Sequence, residues 1–218
     1  MRRDGLNPRL LLSLAALVVV AGVVALVASG GSSNSKANST TKPLAHSAYK
    51  AEAELNPPAK APPIALRNYL GQAVKLSSYR GKAVLVTFLY TNCPDICPLI
   101  TSNLRVAQNL MGPKTAAKVQ IIAVSVDPKG DTKKAVASFL ARHEMTGRMQ
   151  YLVGSAHELA RVWKAWGVGS ERDANQPQFV NHSGLIYGLT ASGKRTTLYS
   201  ASFKPADVAH DVPLLANG

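Results

Sequence analysis

Two short, nearly continuous apolar runs constrain this chain more than any other feature. They are residues 83–90 (AVLVTFLY) and 119–126 (VQIIAVSV), with a helical stretch between them. A strand with one solvated face alternates apolar and polar residues. Runs without alternation belong to strands covered on both faces. A helix joining two such strands is the crossover that parallel pairing requires.

The flanking pattern extends this unit. Residues 62–80 read as a short hairpin turning near Gly71. A helix over 96–111 is stopped by Gly112-Pro113, and Asp127-Pro128 ends the second apolar run. Asp131 or Thr132 can cap the next helix, which runs to Arg142. Residues 149–153 read as a strand. Residues 156–166 read as a helix with Leu159, Val162, Trp163 and Trp166 on one face. Residues 179–189 read as a strand broken by His182-Ser183-Gly184. Ser192-Gly193 makes a turn, 196–200 returns antiparallel, and 204–215 is a final helix. The order predicts an α/β, thioredoxin-like fold, with a mixed central sheet and flanking helices.

The N-terminus is a different material. Residues 10–28 (LLLSLAALVVVAGVVALVA) carry no charge. Nineteen helical residues at ~1.5 Å each span roughly 28 Å, enough for a hydrocarbon core. Arg2, Arg3 and Arg9 precede the run, so the N-terminus is expected in the cytoplasm and the rest outside. A cleaved signal peptide would need a small residue where Leu26 stands, so an uncleaved transmembrane anchor is the expectation. Residues 29–60, rich in Ser, Asn, Lys, Ala and Pro, are expected to be a flexible tether that buries too little to fold. The expected organisation is 1–28 anchor, 29–60 tether and 61–218 domain, a single-pass protein of the bacterial plasma membrane.

Formal net charge is +13, with 25 basic and 12 acidic residues. The lysines and arginines are scattered and no aromatic-basic stripe is present, which argues against nucleic acid. An anionic membrane surface or an acidic partner protein suits the excess better, and a merely solubilising surface is the alternative.

Only two cysteines are present, Cys93 and Cys97. They stand where a buried strand turns into a helix. There, unpaired N–H groups and the helix dipole favour a thiolate. Four-residue spacing sets the two sulfurs one helical turn apart, able to face one point. Such a pair suits copper, or zinc with further ligands, and can also close a disulfide. Pro94 fits a first helical turn, where no N–H is needed. Of the histidines, His46 is in the tether, while His143, His157 and His210 fall on helical stretches. His182 interrupts an apolar strand expected beside the one feeding Cys93. It is either a satisfied core residue or a third ligand. Asp95 can tune thiolate charge, meet a partner or serve as a helix N-terminal acid. Asp127 can line the site or simply shape an Asp-Pro turn. Met111, Met145 and Met149 are dispersed and read as packing.

The blocks TFLYTNCPDICP, VSVDPKGDT and VNHSGLIYGLTASGK, in this order and spacing, resemble the Sco/SenC family of copper chaperones across about residues 60–215. The resemblance implies a thioredoxin fold and a membrane anchor. It also implies ligation of Cu(I) and Cu(II) by Cys93, Cys97 and His182. It further implies a role in building the copper A centre of cytochrome c oxidase, by copper delivery or thiol reduction. The expected partners are the copper-bearing oxidase subunit or another copper chaperone. Many members have Asp before the ligand histidine where Asn181 stands, so the support given to His182 differs here. A copper carrier need not be an enzyme. The competing reading is a thiol-disulfide reductase, with Cys93 attacking and Cys97 resolving. A thiol peroxidase lacks an assignable activating set, and a structural disulfide is the remaining alternative.

Overall fold

The computed structural model describes residues 47–169, 171–172 and 180–218. The described residues fall within one compact unit, Ala45–Gly218. The strands are β1 (Ala53–Lys60), β2 (Ala65–Asn68), β3 (Ala73–Lys75), β4 (Ala83–Leu89), β5 (Val119–Ser125), β6 (Met149–Val153), β7 (Glu171–Arg172), β8 (Val180–Asn181), β9 (Ile186–Leu189) and β10 (Lys194–Tyr199). The helices are α1 (Ile96–Ala116), α2 (Lys133–Arg142), α3 (Ala156–Trp166) and α4 (Pro205–Ala216). Eight strands form one sheet in the order β1-β10-β9-β4-β5-β6-β2-β3, and β7 pairs with β8 apart from it.

The two apolar runs are the parallel centre of that sheet. β4 and β5 pair from Ala83↔Val119 to Leu89↔Ser125, and β6 continues the parallel set. All seven residues of β4 are buried. Successive side chains in β9 point to opposite faces. Tyr187 meets Trp166 of α3 on one side. A side chain at Gly188 would run into Thr197 and Leu215 of α4 on the other. Helices therefore cover both faces, which is why a non-alternating sequence suits the centre.

Punctuation falls where local chemistry demands it. Gly112 sits at φ 70° and breaks α1, as the Gly-Pro pair predicts. Thr132, not Asp131, caps α2 by accepting from Ala135 N–H at 3.2 Å. Ser155 and Glu158 form a reciprocal capping box at α3, and Gly167 ends that helix in the left-handed region.

Two expectations are corrected. The segment 29–60 was expected to be all tether, yet Ala53–Lys60 forms β1, paired antiparallel with β10. An edge strand is held by its backbone and needs little apolar surface; six of the eight β1 residues are exposed. Pro57 and Pro58 lie where the register shifts between Glu54 and Ala59, a position that needs no N–H. Second, 179–189 is not one interrupted strand. β8 belongs to the small ribbon and β9 to the main sheet, so His182 occupies the link between two sheets. The expected anchor, residues 10–28, lies outside the described residues. Among the described residues, no helix is long and apolar enough to cross a membrane.

Candidate metal and thiol site

β4 delivers Tyr90 and then the cysteine turn to the C-terminal end of the parallel strands, the usual location of sites in open α/β sheets. The Cys93 N–H donates to the Tyr90 carbonyl at 3.3 Å, and Thr91 N–H donates to Asp131 Oδ1 at 2.8 Å. The turn is thus tied down on both sides before α1 begins. Cys97, in the first turn of α1, is fully buried, while Cys93 is half-buried.

Cys97 N–H donates to Cys93 Sγ at 3.3 Å. The Cys93 thiol is lowered to about 5, first by a hydrogen bond from the Cys97 thiol. The amides of Asp95 and Cys97 and the Tyr90 hydroxyl assist, against the opposing effect of burial. Cys97 is raised for the matching reason: it donates to Cys93 and is buried beside that negative sulfur. The pair therefore holds one proton at neutral pH, on Cys97, with the nucleophilic sulfur on Cys93.

His182 approaches from the opposite side. Its Nε2 stands 3.7 Å from Cys97 Sγ, and its Nδ1 lies 3.2 Å from the Ser183 carbonyl. A carbonyl only accepts, so Nδ1 carries the proton and the Nε2 lone pair faces the sulfur. Burial lowers the His182 pKa, favouring the neutral, ligating form. First-row metals hold nitrogen and sulfur ligands at about 2.0–2.3 Å. Two such ligands on one ion lie roughly 3.5–3.8 Å apart, so the Cys97–His182 spacing fits a shared ion. Among the described residues, no group of three or more His, Cys, Asp or Glu side chains stands arranged to hold a metal ion. The structure brings His182 to Cys97, and Cys97 to Cys93, as two separate contacts.

Gly184 sets this approach. Its role is clearance: a Cβ there would lie 2.8 Å from Ile96 Cγ2 and 3.3 Å from Ala201 Cβ. Tyr90 joins the halves. Its ring packs edge-on to the His182 ring with centroids 5.7 Å apart, and its hydroxyl accepts from Val180 N–H at 3.3 Å.

The other sequence-derived candidates separate. Asp95 is exposed at the start of α1, where its side chain makes no cap, and it serves Cys93 through its backbone amide. Asp127 is buried in the turn after β5, where its Oδ1 accepts from Lys129 N–H at 3.3 Å, favouring the turn reading. The Asn181 side chain lies outside the described residues, as does His46. His143 contacts Ser102 and His210 contacts Asp211, both with other partners than the cysteines. Met145 and Met149 are core residues and Met111 packs against the core.

Sequence reasoning gave Asp131 only a helix-capping role. It is buried beneath the turn, accepting from Thr91 N–H, Ser125 Oγ at 2.6 Å and the Tyr151 hydroxyl at 2.8 Å. Its charge also helps raise Cys97. The available signal was an acid beside Thr132, which already suffices as the cap.

A mixed sheet with helices on both faces, ending in a dithiol turn that faces a histidine, defines a thioredoxin-fold protein of the metal- or thiol-handling class. The SCO1/SenC family model matches residues 52–217, and the chain belongs to that family. Protein SCO2 homolog, mitochondrial, of Bos taurus is 31% identical over 151 residues, covering 67% of this chain and 56% of that protein. The chain thus spans little more than half the length of that relative. The copper-bound structure of ScoI from Bradyrhizobium japonicum is 29% identical with a TM-score of 0.63, covering 72% of this chain and 99% of that one. BsSco is described as a member of the Sco family of cytochrome c oxidase assembly proteins with a disulfide switch. It is 26% identical with a TM-score of 0.60, covering 76% of this chain and 97% of that one.

Proposed function

We propose that this protein is a membrane-anchored copper metallochaperone that carries copper on Cys93, Cys97 and His182 and supplies the copper A centre of cytochrome c oxidase. The carrying observation is the Cys97–His182 separation of 3.7 Å, with Nε2 unprotonated and facing the sulfur. Kinship with the copper-bound ScoI supports copper as the cargo. Kinship with an oxidase assembly protein supports the recipient. The half-buried Cys93 is the ligand a recipient can reach, and it is suited to leave first in ligand exchange. Copper would displace the proton held on Cys97, so loading releases protons and requires the reduced pair. The anchored, extracytoplasmic placement rests on residues 1–28.

The test is copper titration of the reduced protein, wild type against His182→Ala, followed by sulfur-to-metal charge-transfer absorption. Loss of one of three ligands should weaken Cu(II) binding on the order of 100-fold or more. An unchanged spectrum and affinity removes the three-ligand site.

The low Cys93 pKa and the disulfide switch identified in the related BsSco favour a second role, thiol-disulfide reduction. The Cys93 thiolate attacks a partner disulfide, expelling one partner thiolate. Cys97 then loses its proton and attacks Cys93 Sγ, expelling the second. Two electrons pass to the partner and the pair is left oxidised. Reduction of an oxidised copper-site peptide by a protein that binds no copper would favour this role over the first.

A further inference from the structure

The cysteines occupy the C-terminal end of the parallel strands, so the N-terminal ends of the same strands form the opposite pole. The basic excess gathers there. Lys82 precedes β4, Lys118 precedes β5 and Arg148 precedes β6. Lys114 lies in the last turn of α1. Lys60 ends β1 directly opposite Lys194 at the start of β10. Lys60, Lys75 and Arg80 rim a cleft of about 440 Å³ floored by Ile64, Leu76, Val84 and Leu189. All eight cations are exposed.

Among the described residues none of the eight meets a carboxylate, for the ion pairs are Arg105–Glu144 and His210–Asp211. Like charges placed directly opposite across a strand pair repel, and Lys60 and Lys194 stand so. The cysteine pole differs. Its Lys129, Lys133, Lys134 and Lys204 are interspersed with Asp95, Glu158, Asp207 and Glu52. The charge is therefore segregated along the strand direction, and the domain carries a permanent electric axis.

We propose that this basic pole docks on an anionic phospholipid surface, which turns the cysteine–histidine site away from the membrane. Two observations favour lipid over an acidic protein. The cations ring a cleft with an apolar floor, the chemistry of a headgroup joined to acyl chain. The sequence also places an apolar run of membrane-spanning length at residues 10–28, holding the domain beside such a surface. The orientation rests on the anchored reading; the binding does not, and copper plays no part in its test.

The domain 45–218 contains the whole described core, and the family model spans residues 52–217 within it, so it can be tested alone. Co-sedimentation is measured with vesicles of pure phosphatidylcholine and with about 30% phosphatidylglycerol, at about 0.1 M salt. The expected result is binding at least about tenfold stronger to the anionic vesicles, lost at about 0.5 M salt. Lys82→Glu/Lys118→Glu/Lys194→Glu should abolish it. Lys129→Glu/Lys133→Glu/Lys134→Glu at the other pole should leave most of it. The corresponding Gln triple variants repeat the comparison should charge reversal impair folding. Equal loss in the two triple variants, or no preference for anionic vesicles, overturns the proposal.

Discussion

Cys97 Sγ and His182 Nε2 lie 3.7 Å apart although 85 residues separate them. The contact depends on a passage between α1 and the link from β8 to β9, and that passage has room for no side chain at Gly184. Gly184→Ala should cost about 1–3 kcal/mol by forcing its methyl against Ile96. It should also weaken copper binding by moving His182. Adding Ile96→Ala, at a residue already 40% exposed, should restore much of both. Urea denaturation and copper titration of the single and double variants check this; no recovery would mean that Gly184 acts otherwise.

Burial raises the Tyr90 pKa to about 12, so its hydroxyl stays protonated at neutral pH. It can donate to the Cys93 thiolate while accepting from Val180 N–H. Tyr90→Phe keeps the ring against His182 and removes that acceptor. The expected stability loss is about 1–2 kcal/mol, with faster hydrogen exchange at the Val180 amide. Unaltered exchange would show that the hydroxyl does not hold the His182 segment.

Cys93 is lowered to about 5, so in the reduced, copper-free protein its thiolate is present above that pH and lost below it. Alkylation by iodoacetamide should therefore change little between about pH 7 and 9 and fall through about pH 5. Cys97, buried and raised, should stay unreacted in the native state. Cys97→Ala removes the largest stabilising hydrogen bond, moving Cys93 back toward about 8.5 and slowing its alkylation at pH 7 by roughly 10- to 30-fold. Mass-spectrometric kinetics decide; equal rates in both proteins would place the cause elsewhere. For stability the sign is the depressed-pKa case. The thiolate's contribution is complete above the unfolded thiol value and is lost as pH falls through about 5.

Burial pushes the Asp131 carboxyl up, although three donors converge on it. A raised folded-state pKa contributes stability that is present below the ordinary carboxyl value and is lost as pH rises through the folded value. The melting temperature of wild type relative to Asp131→Asn should therefore fall as pH rises from about 4 to 7. Asp131→Leu should lose about 2–4 kcal/mol, because Thr91, Ser125 and Tyr151 all lose their acceptor. Calorimetry across pH measures both, and a difference growing with pH would reverse the assignment.

The sequence by itself determined the centre of the sheet, because a strand covered on both faces must be apolar throughout, and β4 and β5 are. It determined helix punctuation too, since Thr132 and Gly112-Pro113 act within a few residues. The dithiol turn was legible for the same reason: Cys93 and Cys97 are neighbours along one helix start. Edge strand β1 was not legible, because it is held by backbone bonds to β10 that leave no apolar pattern. Tertiary structure alone decided that Asp131 lies under the cysteine turn, that Tyr90 reaches Val180, and that Gly184 clears Ile96. It alone gathered eight scattered cations at one pole. Each of these is a meeting of distant segments, and through-space distance is not written in the order of the residues.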